Sequence, residues 1–135
     1  MADAHIPDEQ VIPAVVAAKL AAFYRADPQR WTQDWYAHDA KGFDCDATAP
    51  EAVCWCLRGA IQVLEPSLIG RDRAVLEEFD RALGVVDPNY ESLRIVNWND
   101  NRHRTVNEVI ALCDRVAGIG YQFSWFRQQC VLRAA

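Results

Sequence analysis

Apolar residues near the start of the chain recur at intervals of three or four, a spacing that is typical of one face of an amphipathic helix. The pattern predicts a helix over about residues 8–25. Asp27-Pro28 should end it, because the residue before a proline is pushed out of helical geometry. The apolar residues of this predicted face are Ile12, Val15, Val16, Leu20 and Phe23.

From about Trp31 the pattern changes to an aromatic, strand-like segment, which is interrupted by the turn-like sequence Asp39-Ala40-Lys41-Gly42. Gly42 suits a left-handed backbone position, and Phe43 would begin a second short strand. The sequence therefore predicts a small two-stranded β-ribbon over about residues 32–45. Such a ribbon is only marginally stable alone, so we expect it to lie on the helices.

Two capping boxes predict further helices. In both Thr48-Ala49-Pro50-Glu51 and Thr105-Val106-Asn107-Glu108, a threonine can cap the first turn while a glutamate three residues later reaches back to it. The first helix would end before Pro66, and Gly118 and Gly120 would break the second. The predicted inward faces are Val53, Cys56, Leu57, Ala60, Ile61 and Leu64 in the first helix, and Val106, Val109, Ile110, Cys113, Val116 and Ala117 in the second.

The remaining segments complete a mainly α pattern. A further helix is predicted over about residues 71–83, with Gly84 as its C-terminal cap. The segment 95–104 is predicted to be a polar loop. The tail from Tyr121 is predicted to be a last helix, or alternatively a strand over residues 121–126, because its aromatic side chains are β-prone.

Together these patterns predict one compact, mainly α domain over residues 1–135. It should contain four to five helices and the two-stranded ribbon. Within it, residues 118–135 could pack separately as a C-terminal helix.

Composition excludes several classes of protein. The chain has 135 residues, 51% of them hydrophobic, and a formal net charge of −5, which is ordinary for one globular domain. No block of basic residues indicates nucleic acid binding. The apolar stretch over residues 11–18 is far shorter than the roughly 20 residues of a membrane helix, and the acidic start is unlike a signal peptide. We expect a cytoplasmic protein that binds neither nucleic acids nor membranes.

The five cysteines are an odd number and, without a secretion signal, favour reduced thiols. Cys54-Trp55-Cys56 suggests a metal site. However, in the predicted helix these two cysteines would point about 200° apart and could not bind one ion together. Cys56 would then be a small core residue. We therefore predict no metal and no cofactor.

The polar loop before the second capping box is the densest cluster of candidate chemistry. It lies just before a helix N-terminus, which favours anions. One hypothesis is an anion or phosphate site, with two arginines as a fork, a histidine as an acid–base group and a tryptophan as a wall. The favoured interpretation is a plain helix entry with solvated basic side chains. The residues of this candidate site are Trp98, Asp100, Arg102, His103 and Arg104, with Trp31 or Trp35 as the wall.

The ribbon carries a second cluster, in which His38 and Asp39 lie beside Trp31, Trp35 and Tyr36. It could form an aromatic pocket with a general acid–base pair. We favour the alternative, in which Asp39 starts the turn by accepting hydrogen bonds from nearby backbone and the aromatic side chains cover the helices.

Sequence templates for catalysis are missing. The chain contains no Gly-x-Ser-x-Gly motif, and its six glycines are scattered, so no phosphate-binding loop is formed. Aromatic residues, which are favoured at interfaces, are plentiful: five Trp, four Tyr and five Phe. We expect a non-enzymatic binding or regulatory protein with a protein partner or a second copy, docking partly through Tyr121, Trp125 and Phe126. The alternative is a small ligand-binding domain or enzyme at the 98–105 loop.

Three segments form an ordered set of motifs. They are Trp31…Trp35-Tyr36-Ala37-His38-Asp39-Ala40-Lys41-Gly42, then Ala52-Val53-Cys54-Trp55-Cys56-Leu57-Arg58-Gly59-Ala60-Ile61, then Trp98-Asn99-Asp100 with Arg104-Thr105 and Glu108-Val109. Their order resembles a family of small bacterial and phage proteins of unknown function, over most of residues 10–117. This chain departs from the pattern at Asp34, where a glycine is expected, and in its aromatic tail after Gly118. The resemblance implies one compact domain and no particular activity.

Overall fold

Five α-helices and one small sheet make up the computed structural model, which describes residues 12–84 and 94–118. The helices are α1 (Pro13–Ala26), α2 (Leu57–Leu64), α3 (Arg73–Ala82), α4 (Arg94–Asn99) and α5 (106–118). The strands are β1 (Ala37–Asp39), β2 (Asp44–Cys45) and β3 (Ala52–Trp55). The prediction of a mainly α fold with four to five helices is confirmed.

The first helix buries a different stripe from the predicted one. Helix α1 starts with Pro13 at its first position, where a proline costs no hydrogen bond. Ile12 is the N-cap and is 57% exposed, and Val15 is 49% exposed, so the prediction that both face inward is wrong. Ile12 precedes the first helical residue and Val15 lies on the solvent side of α1, whereas Val16 and Leu20 of the predicted face are buried. The buried residues of α1 are Val16, Ala17, Leu20, Ala21 and Tyr24.

The predicted ribbon is present as the β1–β2 pair, in which Ala37 lies opposite Cys45 and His38 opposite Asp44. Asp39 forms the turn as expected, because its carboxylate accepts hydrogen bonds from the backbone N–H groups of Lys41 and Phe43, both at 2.9 Å. Gly42 has φ +87°, the left-handed conformation that favours glycine.

A third strand, β3, replaces the start of the helix predicted after Thr48. The segment 47–51 forms turns, and β3 then pairs antiparallel with β1, giving the strand order β2-β1-β3. Val53 is 48% exposed and is not on a buried helix face. The prediction is wrong here because Val53-Cys54-Trp55 is β-prone and finds a partner strand, so tertiary pairing overrides the local capping signal. Helix α2 starts later, with Cys56 as its N-cap.

Helix α4 lies in the segment 95–104, which was predicted to be a polar loop. Its N-terminus is capped from another helix, because the Asp80 carboxylate in α3 accepts the backbone N–H groups of Arg94 (3.3 Å) and Ile95 (2.7 Å). Ile95 is 1% exposed. A cap supplied by a residue distant in sequence leaves no local start signal, so the pattern of the segment alone missed the helix.

Buried side chains from all five helices form one hydrophobic core. Helix α1 packs on α2 and α3, and α4 packs on the same two helices. The sheet lies against this core through Trp55, which packs on Phe23 with ring centroids 5.5 Å apart. The largest fully buried apolar side chains are Tyr24, Phe79, Leu20, Ile61, Leu76 and Ile95.

The tail predictions lie outside the described residues. These are the separate packing of residues 118–135 beyond Gly118, and the helix or strand over residues 121–126. Among the helices that are described, none has the length and apolar character needed to cross a bilayer.

Candidate functional site

Asn99, at the C-terminal end of α4, joins three parts of the fold through its side chain, which is buried. Its Oδ1 accepts hydrogen bonds from Trp31 Nε1 (2.8 Å) and from the backbone N–H of Leu57 (3.3 Å). Its Nδ2 donates to the Thr32 carbonyl (3.2 Å) and to the Asp100 carboxylate (3.0 Å). The two donors and two acceptors of the amide are therefore all used, as burial of such a group requires.

The segment 31–34, which precedes β1, is fixed on the end of α4. Gln33 Nε2 donates to the carbonyl oxygens of Asn99 (2.9 Å) and Asn101 (2.6 Å), and the Asp34 N–H donates to the Asp100 carboxylate (2.9 Å). Asp34 has φ +73°, a left-handed conformation that glycine adopts most easily. This is the position where the family pattern led us to expect a glycine.

Helix α2 approaches the same segment so closely that only glycine fits at position 59. A Cβ atom on Gly59 would lie 2.0 Å from the carbonyl oxygen of Tyr36. That oxygen also accepts the backbone N–H of Cys56 at 3.2 Å. The three motifs of the sequence thus meet at one place, which we call the Asn99 junction: segment 31–36, the start of α2, and the end of α4.

Comparison with known protein families matches residues 16–119 to a "Family of unknown function (DUF6197)". The chain belongs to this family. The matched range contains all three motifs, as the resemblance implied. No curated protein and no solved structure matched the chain. Membership of DUF6197 brings no activity with it, so the chemistry of the site rests on its geometry.

In this DUF6197 protein, the second capping box forms as predicted. The Glu108 carboxylate accepts the backbone N–H of Thr105 (2.9 Å), and the Thr105 hydroxyl accepts the backbone N–H of Glu108 (3.3 Å). These hydrogen bonds, the Thr105 backbone first, lower the pKa of Glu108, and the neighbouring Arg104 lowers it further. The start of α5 therefore already holds an anion from its own chain.

Arg104 is held between two neighbours. Its guanidinium lies 3.9 Å from the centroid of the Trp98 ring, Nε donates to the Trp98 carbonyl (3.0 Å), and the terminal nitrogen donates to Glu108 (2.9 Å). An arginine stacked and paired in this way fixes the entry to α5. It is not a free arm of an anion-binding fork.

Each of the other predicted residues of the loop site either belongs to the Asn99 junction or is exposed to solvent. Trp31 and Asp100 belong to the Asn99 junction through their hydrogen bonds. Arg102 and His103 are exposed, and the His103 backbone N–H donates to Asn101 Oδ1 (2.9 Å) in a local turn. The ligand-site hypothesis for the 98–105 loop remains a prediction.

Trp31 and Trp35, the alternative walls of the predicted site, differ in their surroundings. Trp31 turns its indole N–H toward Asn99, whereas Trp35 is 46% exposed. Trp35 packs edge-on against Tyr36, with ring centroids 6.0 Å apart, and Arg58 lies 5.8 Å from the Tyr36 ring. Arg58 is itself paired bidentately with Asp72, whose side chain is buried.

His38 forms a bridge that the sequence analysis missed. Its Nδ1 lies 2.8 Å from the Thr32 hydroxyl and its Nε2 lies 2.9 Å from Asp44. With Nε2–H donated to the carboxylate, Nδ1 accepts the hydroxyl proton of Thr32. The turn at Asp39 contained the signal, because pairing Asp39 with Phe43 places residue 38 opposite residue 44. His38 thereby ties segment 31–34 to the sheet.

Cys54 and Cys56, the two cysteines discussed as a metal site, lie in different elements and make separate contacts. Cys54 lies in β3 and donates to the His38 carbonyl (3.8 Å), whereas Cys56 Sγ accepts the Gly59 N–H (3.4 Å), so the helical premise for this pair was wrong. Burial raises the pKa of Cys56 and raises that of Cys113 to about 12, which keeps both thiols protonated at neutral pH. In the part of the chain that is described, no three His, Cys, Asp or Glu side chains converge as metal ligands.

Proposed function

We propose that this protein is a non-enzymatic binding or regulatory protein of the cytoplasm that docks a protein partner on its small sheet. The docking residues are Trp35, Phe43 and Val53, which together are called the sheet surface below. They are 46%, 67% and 48% exposed, and this exposure is the observation that carries the proposal. The large hydrophobic residues exposed in the described part of the chain are Ile12, Val15, Trp35, Phe43, Val53 and Ile69, so half of them lie in or directly beside the strands of the sheet.

The sheet surface is supported by fixed backbone. Trp35 directly follows Asp34, whose N–H donates to Asp100, and its ring packs edge-on against Tyr36, which contacts α2. Val53 lies at a β-bulge, where one extra residue of β3 faces the pair His38 and Asp39 of β1. An aromatic residue displayed on ordered backbone loses little conformational entropy on binding, which is why such residues often dominate binding energy.

The contacts around the 98–105 loop favour this proposal over an anion-binding or enzymatic site. Arg104 and the first turn of α5 are already paired with Glu108. A cavity lined in part by Cys56, Asn99 and Asp100 has a volume of about 10 Å³, room for at most one water molecule. A metabolite bound at this loop would therefore lie on its outside, near Arg102 and His103, which are exposed.

The test is capture of the partner from the protein's own host cells by tagged wild-type protein and by the double variant Trp35→Ala/Phe43→Ala. We expect the variant to lose the protein that the wild type captures, by roughly tenfold or more, because central aromatic residues typically contribute about 2 kcal/mol or more each. Its thermal midpoint should stay close to that of the wild type, since both side chains are exposed.

Ile69→Ala is the matched control, because Ile69 is 47% exposed and lies outside the sheet. It should retain the partner. Retention of the partner by the double variant, or equal loss from the Ile69 variant, would overturn the proposal.

The predicted partner contacts of Tyr121, Trp125 and Phe126 lie outside the described residues and remain a prediction. The variant Trp125→Ala/Phe126→Ala belongs in the same capture experiment. Loss of the partner from this variant at unchanged stability would extend the docking surface into the tail. Lower stability alone would assign these aromatic residues to the core.

A further inference from the structure

The sheet surface lies in an acidic part of the chain. Residues 34–53 contain five acidic residues and one lysine, Lys41, which gives the segment a net charge of −4 when His38 is neutral. The whole chain has a net charge of −5. The net charge of this one short segment is therefore almost as large as that of the whole chain. The acidic residues are Asp34, Asp39, Asp44, Asp46 and Glu51.

Most of these carboxylates are available to a partner. Asp34, Asp46 and Glu51 are exposed, and the Asp44 side chain is 62% exposed although it also pairs with His38. Asp39 is the exception, because its carboxylate accepts the backbone hydrogen bonds of the turn.

The carboxylates and the apolar side chains belong to the same small sheet. In β2, Asp44 lies opposite His38, on the face of the strand that its neighbour Cys45 does not share, because successive side chains of a strand point to opposite faces. The three strands of the sheet span only about 10 Å across, given the usual spacing between strands. Several of these carboxylates also lie near Cys45 in β2. Burial raises the pKa of the Cys45 thiol, and the nearby charges of Glu51, Asp39 and Asp46 raise it further.

From this juxtaposition we infer that the sheet surface binds a basic protein segment, one that presents arginine or lysine side chains around apolar anchors. The inference rests on the proposed docking function and names its partner class. Apolar anchors would cover Trp35, Phe43 and Val53, while the cations pair with the carboxylates at the rim, where complementary charge selects the partner and speeds association. A second copy of the chain is the wrong partner, because a two-fold interface would place net charges of −4 against each other.

The experiment uses two synthetic peptides with identical tryptophan and leucine positions, in which the polar positions are lysine and arginine in one and glutamate in the other. Binding to the full chain is measured by calorimetry at low and at high salt. We expect only the basic peptide to bind, with an affinity that falls as salt screens the rim charges.

Charge variants locate the site. The variant Asp44→Asn/Asp46→Asn/Glu51→Gln should bind the basic peptide roughly tenfold more weakly, because three rim ion pairs each contribute up to about 1 kcal/mol. The matched control Glu77→Gln/Glu78→Gln/Asp114→Asn removes the same charge elsewhere, from α3 and α5, and should bind almost as well as the wild type.

The outcomes separate this inference from the proposed function. Equal binding of both peptides, with loss of binding in Trp35→Ala/Phe43→Ala, would overturn the basic partner and leave the docking surface standing. If Trp35→Ala/Phe43→Ala binds the basic peptide as tightly as the wild type does, both the basic partner and the docking surface are overturned. Binding of neither peptide, or equal weakening by the two charge variants, would overturn the basic partner, as would a dimer that Trp35→Ala/Phe43→Ala dissociates.

Discussion

At the scale of single residues, the family resemblance pointed to a backbone requirement that composition does not reveal. The pattern led us to expect a glycine at position 34, and Asp34 indeed has the left-handed φ of +73°. Aspartate is among the few other residues that adopt this conformation, and its N–H is held by Asp100. The role of Asn99, in contrast, could not be predicted from its place in a polar segment, because three of its four partners, Trp31, Thr32 and Leu57, are distant in sequence.

Asp34→Ala should lower the free energy of unfolding by about 1 kcal/mol, because a Cβ without a compensating polar group is unfavourable at positive φ. Asp34→Gly should not lower it, since glycine adopts this conformation without strain. Chemical denaturation of both variants checks this order. An alanine variant as stable as the glycine variant would contradict the left-handed conformation.

Gly59→Ala should destabilise the protein by about 3 kcal/mol or more, or prevent folding, because its Cβ would overlap the Tyr36 carbonyl and force the backbone apart. Gly118→Ala is the matched control. A Cβ there meets no atom of residues 12–84 or 94–118 within 4 Å, and Gly118 lies in helix α5, so alanine should be neutral or stabilise by about 0.5–1 kcal/mol. Thermal and denaturant unfolding measure the stability of both variants. An equal change in the free energy of unfolding for Gly59→Ala and Gly118→Ala would contradict the close approach of α2 to the sheet.

At the scale of elements, the apolar periodicity predicted α1 and α3, and a local capping box predicted α5. The box Thr105-Glu108 starts α5, whereas the equally good box Thr48-Glu51 lies in a turn, because the residues after it pair with β1. Helix α4 was missed for the converse reason, since its cap, Asp80, comes from α3. Sequence patterns thus fixed the helical class but not the third strand or the contacts that build the Asn99 junction.

The capping box also predicts an acid-dependent loss of stability. The pKa of Glu108 is lower in the folded protein than in the unfolded chain, so its stabilising effect is complete above the unfolded carboxyl pKa and is lost as pH falls through the folded value. Glu108→Gln, which can keep the capping geometry, should show a smaller loss of stability between neutral and acidic pH than the wild type. Denaturant titrations across this pH range measure the free energy of unfolding of both proteins. If it falls with pH as steeply in Glu108→Gln as in the wild type, the role of the carboxylate is contradicted.

At the scale of the whole molecule, the three sequence motifs share one structural role. They meet at the Asn99 junction, where Trp31, Gly59 and Asn99 fix the segment that displays Trp35. The compact, mainly α domain could be predicted from the periodic pattern. The sheet surface could not, because exposure of Trp35, Phe43 and Val53 depends on strand pairing and on which face meets the core.

The most direct test of the docking account is a native mass spectrum of the protein recovered gently from its own host cells, compared with that of Trp35→Ala/Phe43→Ala. We predict that the wild type appears in complex with a second protein chain, and that the variant appears as the 15.3 kDa monomer. A wild-type monomer that carries only a metabolite mass would contradict the account and favour a ligand at the 98–105 loop. A complex that survives both substitutions would contradict the sheet surface as its docking site.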